Sequence, residues 1–232
     1  MSKNSFLLCL FSIISLLNFQ CKNENKTSEK KEKEVIYIVR RETKPSAEVQ
    51  EIRLFDTINN VLKSKEGLIE NSLLKSDNEG SKFGYLIFAT WKSQDFFEKA
   101  VKNIPAITKD KELIKDFAYE LDFELQSENT NKKVESYYIV HFKIDSRQIG
   151  KDFNKTVKSM ASSLITSKGN VYYKLYKNID PKNATYQYVL VSGWNSMEDF
   201  SNALNNNTLY ISQVNNLKET VEATVNFYTK IK

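Results

Sequence analysis

Cysteine, histidine, glycine and proline are all scarce in this chain, and each scarcity excludes something. Two cysteines in 232 residues cannot form a disulfide-stapled scaffold or a four-cysteine zinc site. The single histidine, His141, argues against a multi-histidine metal centre and against a histidine-based triad. Six glycines and three prolines exclude collagen-like and low-complexity chains. No GxGxxG, Walker A, GxSxG or HExxH pattern occurs, and the acidic residues lack the paired arrangement of a glycosidase. The sequence therefore implies no metal and no cofactor. Charge of one sign is not concentrated either. The formal excess of +5 is dispersed, and the basic stretch Lys30–Lys33 is interrupted by Glu32, so no nucleic-acid partner is implied. What the chain does have is a 12% aromatic share and 41% hydrophobic residues, enough for a packed core. Its length suits one large domain or two of about 100 residues.

The longest apolar run, Phe6–Leu17, follows Lys3 and is followed abruptly by Lys22–Glu34, which contains no apolar residue. A run of about a dozen residues is short of the ~18–20 that cross a bilayer and matches the h-region of an export signal. The junction Leu17-Asn18-Phe19-Gln20-Cys21 resembles a bacterial lipoprotein signal, in which the Cys is lipidated and becomes the new N-terminus. Phe19 and Gln20 depart from the small residues usual there. The resemblance implies a signal over 1–20, removed with Cys9, and a lipid on Cys21. It also implies a disordered tether over 21–34 and attachment to the exported side of an outer or cytoplasmic bacterial membrane. The folded part would then hold no cysteine and rely on its core alone. An ordinary secretory signal that leaves Cys21 a free thiol, and an uncleaved anchor, are the alternative readings.

The remainder reads as one module written twice. Tyr85–Ala100 (YLIFATWKSQDFFEKA) and Tyr188–Ala203 (YVLVSGWNSMEDFSNA) align at a constant offset of 103. Upstream, Glu34–Val39 aligns with Glu135–Val140 at 101; downstream, Leu121-Asp122-Phe123 aligns with Val225-Asn226-Phe227 at 104. Each unit reads β-α-β-β-α-β by its β-branched and aromatic runs, helical spacings and turn signals. Unit 1 covers 35–126, with strands Val35–Glu42, Leu68–Lys75, Phe83–Trp91 and Tyr119–Gln126. Helix Ala47–Lys63, a helix capped by Ser93 and a short helical stretch near Asp110–Phe117 lie between them. A linker over 127–133 leads to unit 2, 134–232. There the expected strands are Ser136–Lys143, Asn170–Asn178, Thr185–Trp194 and Glu222–Ile231, and the helices Ser146–Leu164, Ser196–Asn205 and about Leu209–Leu217.

This is the split β-α-β order of a ferredoxin-like unit. Its strands, however, are apolar on both alternating faces: Val35–Val39, Tyr85–Phe88, Tyr137–Phe142 and Tyr188–Val191 show no polar side. A sheet covered by helices on one side only would show one. The two sheets of the chain are therefore expected to cover each other. The fold class is α+β: tandem ferredoxin-like units whose antiparallel sheets pack as an intrachain dimeric α/β-barrel, with helices outside. One chain would complete the barrel as a monomeric pseudo-dimer.

The repeat and the Trp-x-Ser that ends each third strand, Trp91-Lys92-Ser93 with Phe97 and Trp194-Asn195-Ser196 with Phe200, resemble the dimeric α+β barrel superfamily. The likeness is to its antibiotic biosynthesis monooxygenase group. As topology it covers about 200 residues; as sequence it is specific over the two sixteen-residue segments alone. The resemblance implies either a cofactor-independent oxygenase acting on aromatic substrates or a relative without activity. The haem degraders of that group also use an Asn on the first strand and a His about ten residues after the Trp. Val35–Glu42 and Ser136–Lys143 contain no Asn, and Val101 and Leu204 stand ten residues after Trp91 and Trp194, so haem chemistry of that kind is not implied.

Four residues stand out for binding. Trp91 and Trp194 have the area and the single N–H to line a pocket for a flat apolar ligand, or they close strand three over helix two as core. His141, between Val140 and Phe142, is a general base, a ligand or a satisfied buried imidazole; Arg40 is its counterpart in unit 1. Tyr138 on the same strand completes the set. The expected function is a membrane-anchored envelope lipoprotein that binds a small apolar or aromatic ligand, or an envelope partner, without catalysis. The alternative is a cofactor-independent monooxygenase with an aromatic substrate.

Overall fold

The computed structural model describes residues 32–43, 47–78, 80–81, 83–101, 114–128, 133–144, 151–180, 184–218 and 221–232. Cys9, Cys21 and nearly all of the expected tether lie outside them. The compact unit spans Lys33–Lys232. The described strands are β1 (Val35–Arg41), β2 (Leu68–Ser76), β3 (Tyr85–Trp91), β4 (Ile114–Gln126), β5 (Ser136–Lys143), β6 (Asn170–Asn178), β7 (Tyr188–Trp194) and β8 (Glu222–Lys230). The described helices are α1 (Glu48–Leu62), α2 (Gln94–Val101), α3 (Lys151–Leu164), α4 (Met197–Asn205) and α5 (Thr208–Lys218).

All neighbouring strands are antiparallel and close into one barrel in the order β1-β3-β2-β8-β5-β7-β6-β4. Within each half this is the ferredoxin-like order, β4-β1-β3-β2 and β8-β5-β7-β6. Each half also pairs its outer strands with those of the other. The seam between β4 and β6 is long, running from Tyr119↔Asn178 to Gln126↔Tyr172. The seam between β2 and β8 is short, with Leu74↔Lys230, Lys75↔Thr229 and Ser76↔Tyr228. There the chain's last residues continue the pairing, since Ile231 N–H donates to Leu73 C=O (2.9 Å) and Leu73 N–H to Lys232 C=O (3.1 Å).

The expected α+β barrel is thus what the chain forms, and the alternation of side chains shows why. In β1, Val35, Tyr37 and Val39 face α1 and α2, while Ile36 and Ile38 face the barrel interior. In β5, Tyr138, Val140 and Phe142 face the second half's helices, while Tyr137 and Ile139 face inward. Every residue of β1, β3 and β7 is buried, so both faces must be apolar. Three cores result: one sheet–helix layer in each half and one barrel interior shared by both.

Two local expectations are corrected. Ile114–Phe117, expected in a helical stretch, extend β4 and pair with Arg41–Ile38 of β1. Without them that edge of β1 would leave its backbone groups unpaired inside the protein. The remainder of that stretch lies outside the described residues. Ser93 does not cap α2, for its hydroxyl has no partner. Its counterpart Ser196 caps α4, accepting from Asp199 N–H (3.1 Å) and donating to the Asp199 carboxylate (2.9 Å). In α2 the equivalent of Asp199 is Phe96, so no carboxylate is there to hold the hydroxyl. Gly67 and Gly169 open β2 and β6 at the same place in the repeat, with φ of +82° and +77°. A Cβ there would strike Phe96 and Asp199 respectively, so each glycine permits both a left-handed backbone and a close helix approach.

Candidate functional site

The four residues singled out by sequence fall in three places. Trp91 lies in the sheet–helix layer of the first half, Trp194 and Tyr138 lie in that of the second, and His141 lies inside the barrel.

Trp194 is buried on the helix-facing side of β7, edge-on to Phe200 (5.1 Å between centroids) and Tyr173 (6.2 Å). Its indole N–H donates to Ser192 Oγ at 2.7 Å. Tyr138 stacks on Phe200 at 4.7 Å and tilts against Phe227 at 5.1 Å. Its hydroxyl accepts from Tyr210 of α5 at 2.9 Å. Burial pushes both phenols above their ordinary range, so they stay protonated. The result is an aromatic nest with hydroxyls and one indole N–H at its centre.

The first half keeps the scaffold and loses the polar part. Trp91 packs against Phe97 (6.3 Å), which in turn meets Tyr37 (5.1 Å). Its indole N–H has no hydrogen-bond partner, because Ala89 stands where the second half has Ser192. A buried bidentate pair, Arg41 to Glu51 (3.1 and 3.3 Å), ties β1 of this half to α1.

Inside the barrel the polar groups divide between two regions. Arg40 of β1 and His141 of β5 belong to one. Arg40 is 2% exposed, with its guanidinium over the Phe83 ring at 4.7 Å and the Tyr186 ring at 5.0 Å. His141 is 1% exposed, 5.3 Å from the Tyr186 ring, and neither ring nitrogen has a hydrogen-bond partner. Burial, helped by the charge of Arg40, pulls its pKa down to about 3. At neutral pH it is therefore an uncharged imidazole with one donor and one acceptor. Burial also lowers the Arg40 pKa and raises those of Tyr119 and Tyr228, both within electrostatic reach of Arg40. Tyr186 and Thr224 share a hydrogen bond of 3.2 Å beside them.

The other region is ionic. Glu34 accepts from Lys174 (2.9 Å) and from the Tyr176 hydroxyl (2.6 Å). Glu70 accepts from Lys230 (2.7 Å), Ser72 (2.8 Å) and Tyr137 (3.3 Å). Burial alone would raise the Glu70 pKa, yet these three donors hold it below the usual carboxylate value. A cleft of about 660 Å³ opens beside Glu70 at the short seam, with Lys133, Tyr137, Lys230 and Lys232 on its walls. Among the described residues no group of three His, Cys, Asp or Glu side chains could hold a metal ion, and no helix is long and apolar enough to cross a membrane.

Sequence reasoning named His141 but not Arg40, Tyr228 or Tyr210 as site residues. A signal existed for Arg40, which aligns with His141 at the repeat offset of 101 and shares its inward parity with Ile36 and Ile38. Nothing in the sequence marked Tyr210, because α5 reaches Tyr138 only through the tertiary fold.

Among known proteins, solved structures share the fold. No family model matches the sequence, and no curated protein matches it. Many solved structures do. A proposed monooxygenase of Fusobacterium nucleatum superposes with a TM-score of 0.65 at 10% identity, covering 87% of this chain and 94% of its own. An anthrone oxidase-like protein gives 0.63 at 13% identity, covering 88% and 93%. A ferredoxin-fold protein of Listeria monocytogenes related to antibiotic biosynthesis monooxygenases gives 0.53 at 12%, covering 87% and 96%. At these identities the likeness is one of fold alone.

Proposed function

We propose that this protein is an envelope lipoprotein, anchored through Cys21, whose barrel binds a small aromatic or apolar molecule in the sheet–helix layer of its second half. The observation that carries the reading is the nest of Tyr138, Trp194, Phe200 and Tyr210. Apolar ring surface with a few inward hydroxyls and one N–H is the composition of a site for a flat ligand. The first half lacks the equivalent serine, so the site is single. The structure is closed over the nest, and α5 would move to admit a ligand. The oxygenase reading is favoured by one observation, the proposed monooxygenase and anthrone oxidase-like proteins that share the fold.

Naphthols and anthrones are suitable probes. Saturable quenching of tryptophan fluorescence and a rise in melting temperature are expected, both lost in Trp194→Phe and kept in Trp91→Phe. No response to any ring-bearing probe refutes the site. Oxygen consumption with the bound probe separates the two readings, since a binding protein consumes none. Labelled palmitate should enter the wild-type protein and not Cys21→Ser.

A further inference from the structure

We propose that the open edge of β2 at the short seam, Ile69–Ser72, receives an extended peptide segment of another protein. The segment pairs antiparallel to β2, in line with β8, with a lysine or arginine opposite Glu70 and an apolar residue directly after it. This edge belongs to the first half, whereas the aromatic nest lies in the helix-side layer of the second. The inference does not depend on the nest binding anything.

The two seams follow one plan up to a point. Tyr119, Glu120 and Leu121 of β4 face Asn178, Lys177 and Tyr176 of β6, just as Tyr228, Thr229 and Lys230 of β8 face Ser76, Lys75 and Leu74 of β2. A bulge comes next in both. Asp122 is the extra residue before Phe123 meets Leu175, and Ile231 and Lys232 both donate to Leu73 C=O (2.9 and 3.3 Å). There the seams part. β4 goes on, setting Glu124, Leu125 and Gln126 opposite Lys174, Tyr173 and Tyr172, and Ser127 N–H donates to Val171 C=O (3.0 Å). The matching stretch of β2, Ser72 back to Ile69, pairs with β3 and has no strand on its other side among the described residues. Leu73 exchanges both backbone groups with Lys232, so by the alternation of an antiparallel strand the N–H and C=O of Asn71 also point out of the sheet. Side chains register the same gap. Val171 and Ile69 are the bulge residues of β6 and β2; the first is 6% exposed and the second 54%.

An unpaired strand edge is a template for another strand. The chemistry beside it narrows the partner. Glu70 lines the cleft of about 660 Å³, and its donors Lys230, Ser72 and Tyr137 all bind Oε1. Its Oε2 accepts no hydrogen bond among the described residues. A residue standing where Gln126 stands in the long seam would be the direct cross-strand neighbour of Glu70, about 5 Å away at Cβ. N–H donors on that side chain would occupy Oε2 in a charge-assisted bond. The lysines of the cleft leave no charge for an anion: Lys133 pairs with Glu135, Lys230 with Glu70 and Lys232 with Asp56. An apolar residue next along would cover Ile69, as the long seam covers Val171. The chain's own stretch Lys22–Glu34 contains no apolar residue and does not supply this pattern.

A library of displayed random octapeptides, selected on the full chain, tests this. Enrichment of a basic residue followed directly by an apolar one is expected, and the enriched sequence then serves as a synthetic probe. Its addition should slow amide exchange at Asn71 and leave β6 unchanged. In Glu70→Gln the amide oxygen can still accept from all three donors while an N–H group replaces Oε2, so affinity should fall about tenfold or more with the fold intact. A chain extended after Lys232 by a second copy of the run Glu124–Ser127, which fills the long seam, supplies its own strand and should lose peptide binding altogether. The absence of any enriched sequence overturns the proposal, as does a peptide bound equally by wild type, Glu70→Gln and the extended chain. Protection of the Asn71 amide in the peptide-free chain overturns it too. Loss of that protection on dilution assigns the edge to a second copy, and its persistence assigns the edge to a segment of the same chain.

Discussion

His141 should make the protein acid-sensitive by an amount that can be worked out. Its folded pKa is about 3, pulled down by burial and by Arg40, against about 6.5 in an unfolded chain. Between these values the unfolded chain holds a proton that the native state refuses. A depressed folded pKa therefore lowers stability as pH falls from about 6.5 towards 3 and has no effect above 6.5. One proton corresponds to about 1.4 kcal/mol per pH unit, so the fall from pH 7.5 to 4.5 removes about 2.7 kcal/mol. For a domain of ordinary stability that is a large fraction. Urea unfolding of wild type and His141→Leu at both pH values isolates this residue because all other titrations are common to the pair. The expected result is that wild type loses about 2.7 kcal/mol more than the variant. Parallel curves, or an imidazole that titrates with a midpoint above 6 in the native state, would refute the reasoning.

Other substitutions probe other parts. Ser192→Ala leaves the Trp194 indole N–H without its 2.7 Å acceptor and should cost about 1–3 kcal/mol in denaturant unfolding, whereas Ala89, already at the equivalent place, shows the fold survives the loss. Gly169→Ala forces a β-carbon into Asp199 at a φ of +77° and should lower stability by at least about 1–2 kcal/mol, with a loss of the Ser196 cap visible as faster amide exchange in α4. Glu51→Gln breaks the buried bidentate contact with Arg41 and should cost about 3 kcal/mol, measured the same way. Removing Ile231 and Lys232 deletes the backbone bonds to Leu73, and exchange protection should fall in β2 and β8 while the β4–β6 seam keeps its own.

The barrel was legible because burial on both faces leaves a mark in the sequence. Ile36, Tyr37, Ile38 and Val39 in succession admit no solvent side, and the offset between Trp91 and Trp194 says that the arrangement occurs twice. The start of β4 was not legible. Ile114-Lys115-Asp116-Phe117 carries mixed polarity, and only the need of β1 for a partner decides its state. Site residues were legible by type and not by company. His141 and Tyr138 could be named from one strand, yet Arg40 meets His141's neighbour Tyr186, and Tyr210 meets Tyr138, only through contacts across more than seventy positions. The failed cap at Ser93 is a reminder that Trp-x-Ser specifies a turn, while Asp199 or Phe96 three residues on decides what the serine does.

One consequence of building the barrel from a single chain concerns symmetry. In an assembly of two identical units every inward position occurs twice, related by the axis, and a substitution at one is a substitution at both. An arginine at the place of Arg40 would then face a second arginine where His141 now stands, two like charges sharing one dry interior. Fusion of the units removes that constraint. The chain can set a cation on one side and an uncharged imidazole opposite, and it can give Trp194 a serine while leaving Trp91 an alanine. The repeated unit gives the frame; freedom from exact two-foldness is what allows its interior to be chemically uneven.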